Sequence, residues 1–130
     1  MARILKMSDR IKMKIDDITF TLAPFSYEQK MEMSDCTKIV AGEEIIDVFK
    51  TKTLMLKYGL KGIDGVGDYR LAFDSEGNLS NECISEILYI EQSAKMLQAC
   101  YEIHNGVPKD NKLLTQGVAL EIVPQLPDDS

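Results

Sequence analysis

Residues 11–25 read IKMKIDDITFTLAPF, and the alternation in this stretch decides the fold. Ile11, Met13 and Ile15 fall on one side of an extended chain, and after Asp16 and Asp17 the same period resumes with Ile18, Phe20 and Leu22. Two period-2 runs joined by an aspartate pair predict a β-hairpin with one buried face, its second strand ended by Pro24. The chain has 130 residues, 45% of them apolar and 28% charged, so it is one domain by length and can bury a core against that face.

Working outward, Ser26 stands three residues before Gln29, and S-x-x-Q is a capping box in which each side chain satisfies a free backbone donor of the first helical turn. A helix is expected from there through YEQKMEMSDCTKIV, interrupted near Gly42, because glycine costs about 1 kcal/mol in a helix interior. Glu43 and Glu44 suit a fresh helix start. The segment EEIIDVFKTKTLMLKYGL, with Ile45, Phe49 and Leu56 roughly on one stripe, predicts a second helix closed by Gly59.

YRLAFD, residues 69–74, alternates with Tyr69, Leu71 and Phe73 on one face and predicts a short middle strand, followed by a turn at DSEGN, residues 74–78. Cys83, Ile87, Ile90, Ala94, Leu97 and Tyr101 then recur at spacings of 4, 3, 4, 3 and 4. That stripe predicts one helix from near Ser80 to Asn105 and Gly106, with Leu88 and Met96 on its other side, where they would meet a neighbouring element or another subunit. GVPKDNKLLTQ reads as a connector, and GVALEIVP as a last strand with Val118, Leu120 and Ile122 on one face. The expected class is α+β: a small antiparallel sheet, built from the N-terminal hairpin, a middle strand and a C-terminal strand, packed against two or three helices.

The net charge of −6 is unevenly spread. Arg3, Lys6, Arg10, Lys12 and Lys14 against Asp9 make the first 14 residues +4, which leaves −10 for the remainder. A single domain is expected, with a basic arm over residues 1–10 and an acidic tail over 124–130. An acidic body repels nucleic acid phosphates, so no direct nucleic-acid binding is expected. No run of about 18 apolar residues is present and none is expected to span a membrane. Cys36, Cys83 and Cys100 have no metal or redox spacing and read as reduced, buried, small hydrophobes of a cytosolic protein. The methionines read mainly as core filling.

The stretch most like a ligand loop is YGLKGIDGVGD, residues 58–68. A phosphate-cradling loop needs G-x-x-x-x-G-K-[ST], and no glycine here precedes Lys-Ser or Lys-Thr. A dinucleotide loop leads from a strand into a helix N-terminus, whereas this one follows a helix and leads to a strand. The acidic turn beyond it fails as a calcium loop, because the sixth position from Asp74 is Leu79 where glycine is required. His104, the only histidine, sits near a helix C-terminus, where a protonated imidazole would act as a cap. Cys100, four residues before it, is its one local partner for thiol chemistry, and nothing in the sequence supplies an orienting group. The expectation is no enzyme, no catalytic residue, no cofactor, no metal and no small-molecule substrate. Gly59, Gly62, Gly65 and Gly67 are expected to form a structural turn, with Leu60, Ile63 and Val66 packing it onto the domain and marking a possible contact with another subunit.

YGLKGIDGV resembles the segment hGLKGhxGh, where h is apolar, of small proteins encoded among the head and tail genes of tailed bacteriophages, including proteins of the tail-assembly-chaperone type. The counterparts are Phe20, Leu22, Phe25 and Tyr27 for an apolar entry segment, Gly59, Leu60, Lys61, Gly62, Gly65 and Val66 for the loop, and Leu79 to Ile87 for a final helix start. The similarity covers residues 15 to 100; Ile63 stands where many relatives have an aromatic, and GVALEIVP extends beyond it. It implies a non-enzymatic virion or assembly protein that works through contacts with other phage structural proteins or with itself, in the host cytoplasm during assembly and in the virion. The alternatives are a transient tail assembly chaperone and a free acidic binding or regulatory module.

Overall fold

The computed structural model describes residues 5–104, 106 and 112–124. Its class is α+β. Strand β1 (Asp9–Ile15) turns at Asp16 and Asp17 into β2 (Ile18–Leu22), with Asp16 at φ 54. Aspartate is among the few side chains that tolerate this left-handed conformation. The pairing Ile11↔Leu22, Met13↔Phe20 and Ile15↔Ile18 puts every apolar residue of the hairpin on one face. All six are buried, with Met13 and Phe20 at 0% exposure.

Two further strands flank the hairpin to give the antiparallel order β5-β2-β1-β6, with β5 at Leu60–Asp64 and β6 at Ala119–Pro124. The registers align two rows across the sheet, Ile63–Phe20–Met13–Leu120 and Leu60–Leu22–Ile11–Ile122. These rows form the floor of the core. The opposite face carries exposed Lys12, Lys14 and Glu121, the ordinary division of an antiparallel sheet that helices cover on one side only.

Ser26 caps helix α1 (Tyr27–Ser34) as expected: its N–H donates to Gln29 Oε1 at 2.8 Å, and the Gln29 N–H donates to Ser26 Oγ at 3.2 Å. The helix then stops six residues before Val40, against the expectation. Thr37–Val40 is strand β3, which pairs with β4 (Glu43–Ile46), and helix α2 begins only at Val48, capped by Asp47, and ends at Gly59. Gly42 is therefore not a break between helices. It shares a hairpin turn with Ala41, at φ 81 and 53. The β-branched residues Thr37, Ile39, Val40, Ile45 and Ile46 favour strands over helix, and that preference prevails here.

The middle strand also lies elsewhere than expected. Residues 60–64, inside the glycine segment, pair with β2; among the described residues, 69–74 form no ladder beyond one bridge, Phe73 to Leu79. Tyr69 and Leu71 are half-buried because the segment lies over α3 (Asn81–Leu88), where the Ala72 N–H donates to Cys83 Sγ at 3.2 Å and the Tyr69 hydroxyl to Glu86 at 3.3 Å. Packing against a helix left the same alternation that a sheet would. The turn at 74–78 is present, with Asp74 Oδ1 accepting from the N–H groups of Glu76 and Asn78.

The single long helix is two, α3 and α4 (Ser93–His104). Between them the N–H groups of Tyr89, Ile90 and Ser93 donate to carbonyls three residues back, at Glu86, Ile87 and Ile90. Such tight turns shift the phase of the stripe. Past the break the buried side is Met96, Leu97, Cys100 and Ile103, while Ala94 and Tyr101 are exposed. Met96, expected on the outer side, is at 0% exposure. Helix α4 packs on β1, and α2 packs on α1, α3, α4 and β5.

Candidate functional site

The four glycines do not lie in one loop. Gly59 is the last residue of α2, and a Cβ there would sit 3.1 Å from the Phe25 ring; Gly62 lies within β5 beside Thr21. Gly65 has φ 94, and a Cβ on it would lie 2.1 Å from the Asp17 carbonyl oxygen, so only glycine lets this turn close onto the β1–β2 turn. Gly67 follows at φ 49. Of the apolar residues between them, Leu60 is fully buried and has no surface to offer a partner, whereas Ile63 and Val66 are half-buried against the core. A bulge between Thr21 and Leu22 leaves Lys61 as the extra residue of β5. Its Nζ donates to the Gly77 carbonyl at 2.9 Å and lies 5.9 Å from the Phe73 ring centre. The cation that would have to meet a phosphate is tied to the neighbouring turn.

Cys100 and His104, one helical turn apart, line the same recess, but their protonation runs against thiol chemistry. Burial pushes the Cys100 thiol up to about 12, so it stays protonated at neutral pH. Burial, assisted by the Lys30 charge, lowers the His104 pKa. A neutral imidazole is favoured, which corrects the expected role as a charged helix cap. His104 instead meets Phe25 edge to face at 5.7 Å, and its Nδ1 is buried without a hydrogen-bond partner. Cys83 differs: burial raises its pKa, but hydrogen bonds with Ser80, Tyr69 and the Ala72 N–H outweigh that and the net direction is down. All three cysteines are free and buried, and among the described residues no cluster of three His, Cys, Asp or Glu could hold a metal ion.

Among the described residues, exposed large apolar side chains gather most densely where helix was expected on either side of Gly42. Along β3–β4 and into α2, Ile39, Val40, Ile45, Ile46, Val48 and Phe49 are between 48% and 80% exposed. Next to them lies a groove of about 550 Å³, lined by Ile46, Val48, Lys52, Met55, Leu97 and Tyr101. The signal in the sequence was the β-branched content of TKIV and EEII on either side of Ala41 and Gly42. Comparison of the chain with family models, with curated proteins and with solved structures gave no match. Among the described residues no helix is long and apolar enough to cross a membrane.

Proposed function

We propose that this chain is a non-enzymatic structural or assembly protein of a tailed bacteriophage, a small head, neck or tail component acting through protein–protein contacts. The observation that carries the reading is the exposed apolar side of β3–β4 at Ile39 and Ile46, continued by Val48 into the groove, since exposed apolar patches rimmed by polar residues mark sites of association. The resemblance of YGLKGIDGV to the hGLKGhxGh segment of phage head and tail proteins supplies the setting. In that role the mechanism is surface complementarity, with an apolar centre and a charged rim joining neighbours. Its partners are other structural proteins of the particle or further copies of itself, first in the host cytoplasm and then in the virion. The reading assigns no substrate, cofactor, nucleic acid or membrane.

Mass spectrometry of purified particles tests it, with copy number taken relative to the major capsid protein. Stoichiometric presence is the expected result. Absence from particles, with expression in infected cells, would remove the virion component and leave a transient chaperone or a free binding module.

A further inference from the structure

We propose that the groove between the β3–β4 hairpin, α2 and α4 docks a second copy of this chain about a two-fold axis. This deepens the assembly reading by naming a surface and its occupant. A two-stranded sheet is marginal in water without a third strand or a helix against it. Among the described residues only the base of β3–β4 has such support: Thr37 and Ile46 face Met33, Met55 and Tyr101 in a recess, and the Asp47 N–H donates to the Cys36 carbonyl at 2.8 Å. Further out, Ile39, on the same face, is 80% exposed, and β4 is exposed along its whole length.

The area suits a copy of similar size. Val40 and Ile45 alternate with Ile39 and Ile46 and lie on the far face of the hairpin. At roughly 170 Å² for a fully exposed large side chain, Ile39, Ile46, Val48 and Tyr101 on the groove side present on the order of 400 Å². That is close to the apolar share, somewhat over half, of the ~800 Å² each partner contributes to a stable interface. Charge selects the occupant. Ile39 pairs with Glu44, and Thr37 with Ile46, so Glu44 shares the face of Ile46 and lies towards the hairpin tip. Lys52, on α2, lines the groove. The surface thus has an acidic end and a basic end with apolar residues between them. A two-fold rotation exchanges the ends and brings Glu44 of each copy to Lys52 of the other, which makes the surface complementary to itself. A partner of uniform charge would leave one end opposed by its own sign.

Sedimentation equilibrium of the full chain at about 100 μM, where a dimer of micromolar Kd is nearly complete, reads the association directly. The expected mass is that of a dimer. Val48→Asp places a carboxylate in the first turn of α2, where the helix dipole favours it, so the fold is kept while Kd rises at least about tenfold. Glu44→Lys and Lys52→Glu each weaken the homodimer, and an equal mixture of the two variants restores dimers, because every contact in the mixed pair is again of opposite sign. A monomeric wild-type chain at that concentration, a Val48→Asp chain that associates unchanged, or a mixture without restored dimers would each overturn the proposal. None of these outcomes bears on whether the protein is found in particles, which the mass spectrometry decides.

Discussion

The two hairpins of this molecule share a local design and meet opposite fates. Both are antiparallel pairs closed by two-residue turns, with a left-handed residue at Asp16 in one and at Ala41 and Gly42 in the other. In β1–β2 the apolar face is buried under helices and flanked by β5 and β6, and Met13 and Phe20 are wholly enclosed. Among the described residues no further strand pairs with β3–β4, and Ile39 stands 80% exposed. Strand chemistry decides which residues share a face. Whether that face supports the fold depends on what else reaches it.

The largest expected effect tests that contrast at its centre. Phe20→Ala should lower the unfolding free energy by about 3–5 kcal/mol, read from urea denaturation, because a wholly enclosed ring leaves a cavity. Ile39→Ala, at protein concentrations low enough to exclude association, should stay within about 0.5 kcal/mol of the parent. A loss at Ile39 similar to that at Phe20 would mean the second hairpin is covered within the monomer, and the contrast would fail.

Gly65→Ala comes next, at about 2–3 kcal/mol, since it combines a positive φ with a Cβ inside the contact distance of the Asp17 carbonyl. Gly42→Ala in the second turn has open space around it and should cost only about 1 kcal/mol, through its backbone conformation alone. Thermal melts of the two variants side by side sharpen the comparison. Ser26→Ala removes one arm of the capping box between the hairpins and should cost about 1 kcal/mol.

The smallest effect is a pH dependence. His104 has a lowered pKa in the folded chain, so the unfolded chain binds the proton more readily. Its contribution to stability is therefore complete above the unfolded value near 6.5 and declines as the pH falls from there towards the folded value. Urea midpoints of the parent should drop across that window more steeply than those of His104→Phe, which has no titrating ring beside Phe25. Equal slopes would show that the imidazole is as free to protonate in the folded chain as in the unfolded one.

Much of the main sheet was legible from its pattern. The β1–β2 face, the Ser26 cap, the end of α2 at Gly59 and the alternation of Val118, Leu120 and Ile122 all follow from neighbours in sequence. The uncovered surface was not legible, because a short run such as TKIV can continue a helix or begin a strand, and the glycine after it fits both. The stripe from Cys83 to Tyr101 misled in a related way: its spacing is continuous in sequence, but the tight turns at Tyr89, Ile90 and Ser93 rotate the second half so that Met96 faces inward.

What the sequence determined by itself is what depends on a few adjacent residues: alternation, capping and the turn at 74–78, where side chains and backbone groups within reach of one another settle the outcome. The tertiary structure alone decided the contests between distant segments. Residues 60–64 and 69–74 are both fit to lie extended, and only one could take the edge of β2; the chain leaving α2 reaches it first, while Tyr69 and Leu71 find cover on α3. In the same way the strand pattern of β3–β4, apolar on both faces, fitted it to a buried sheet, but the flanking places in the main sheet were filled by β5 and β6, and Ile39, Val40, Ile45 and Ile46 stand exposed.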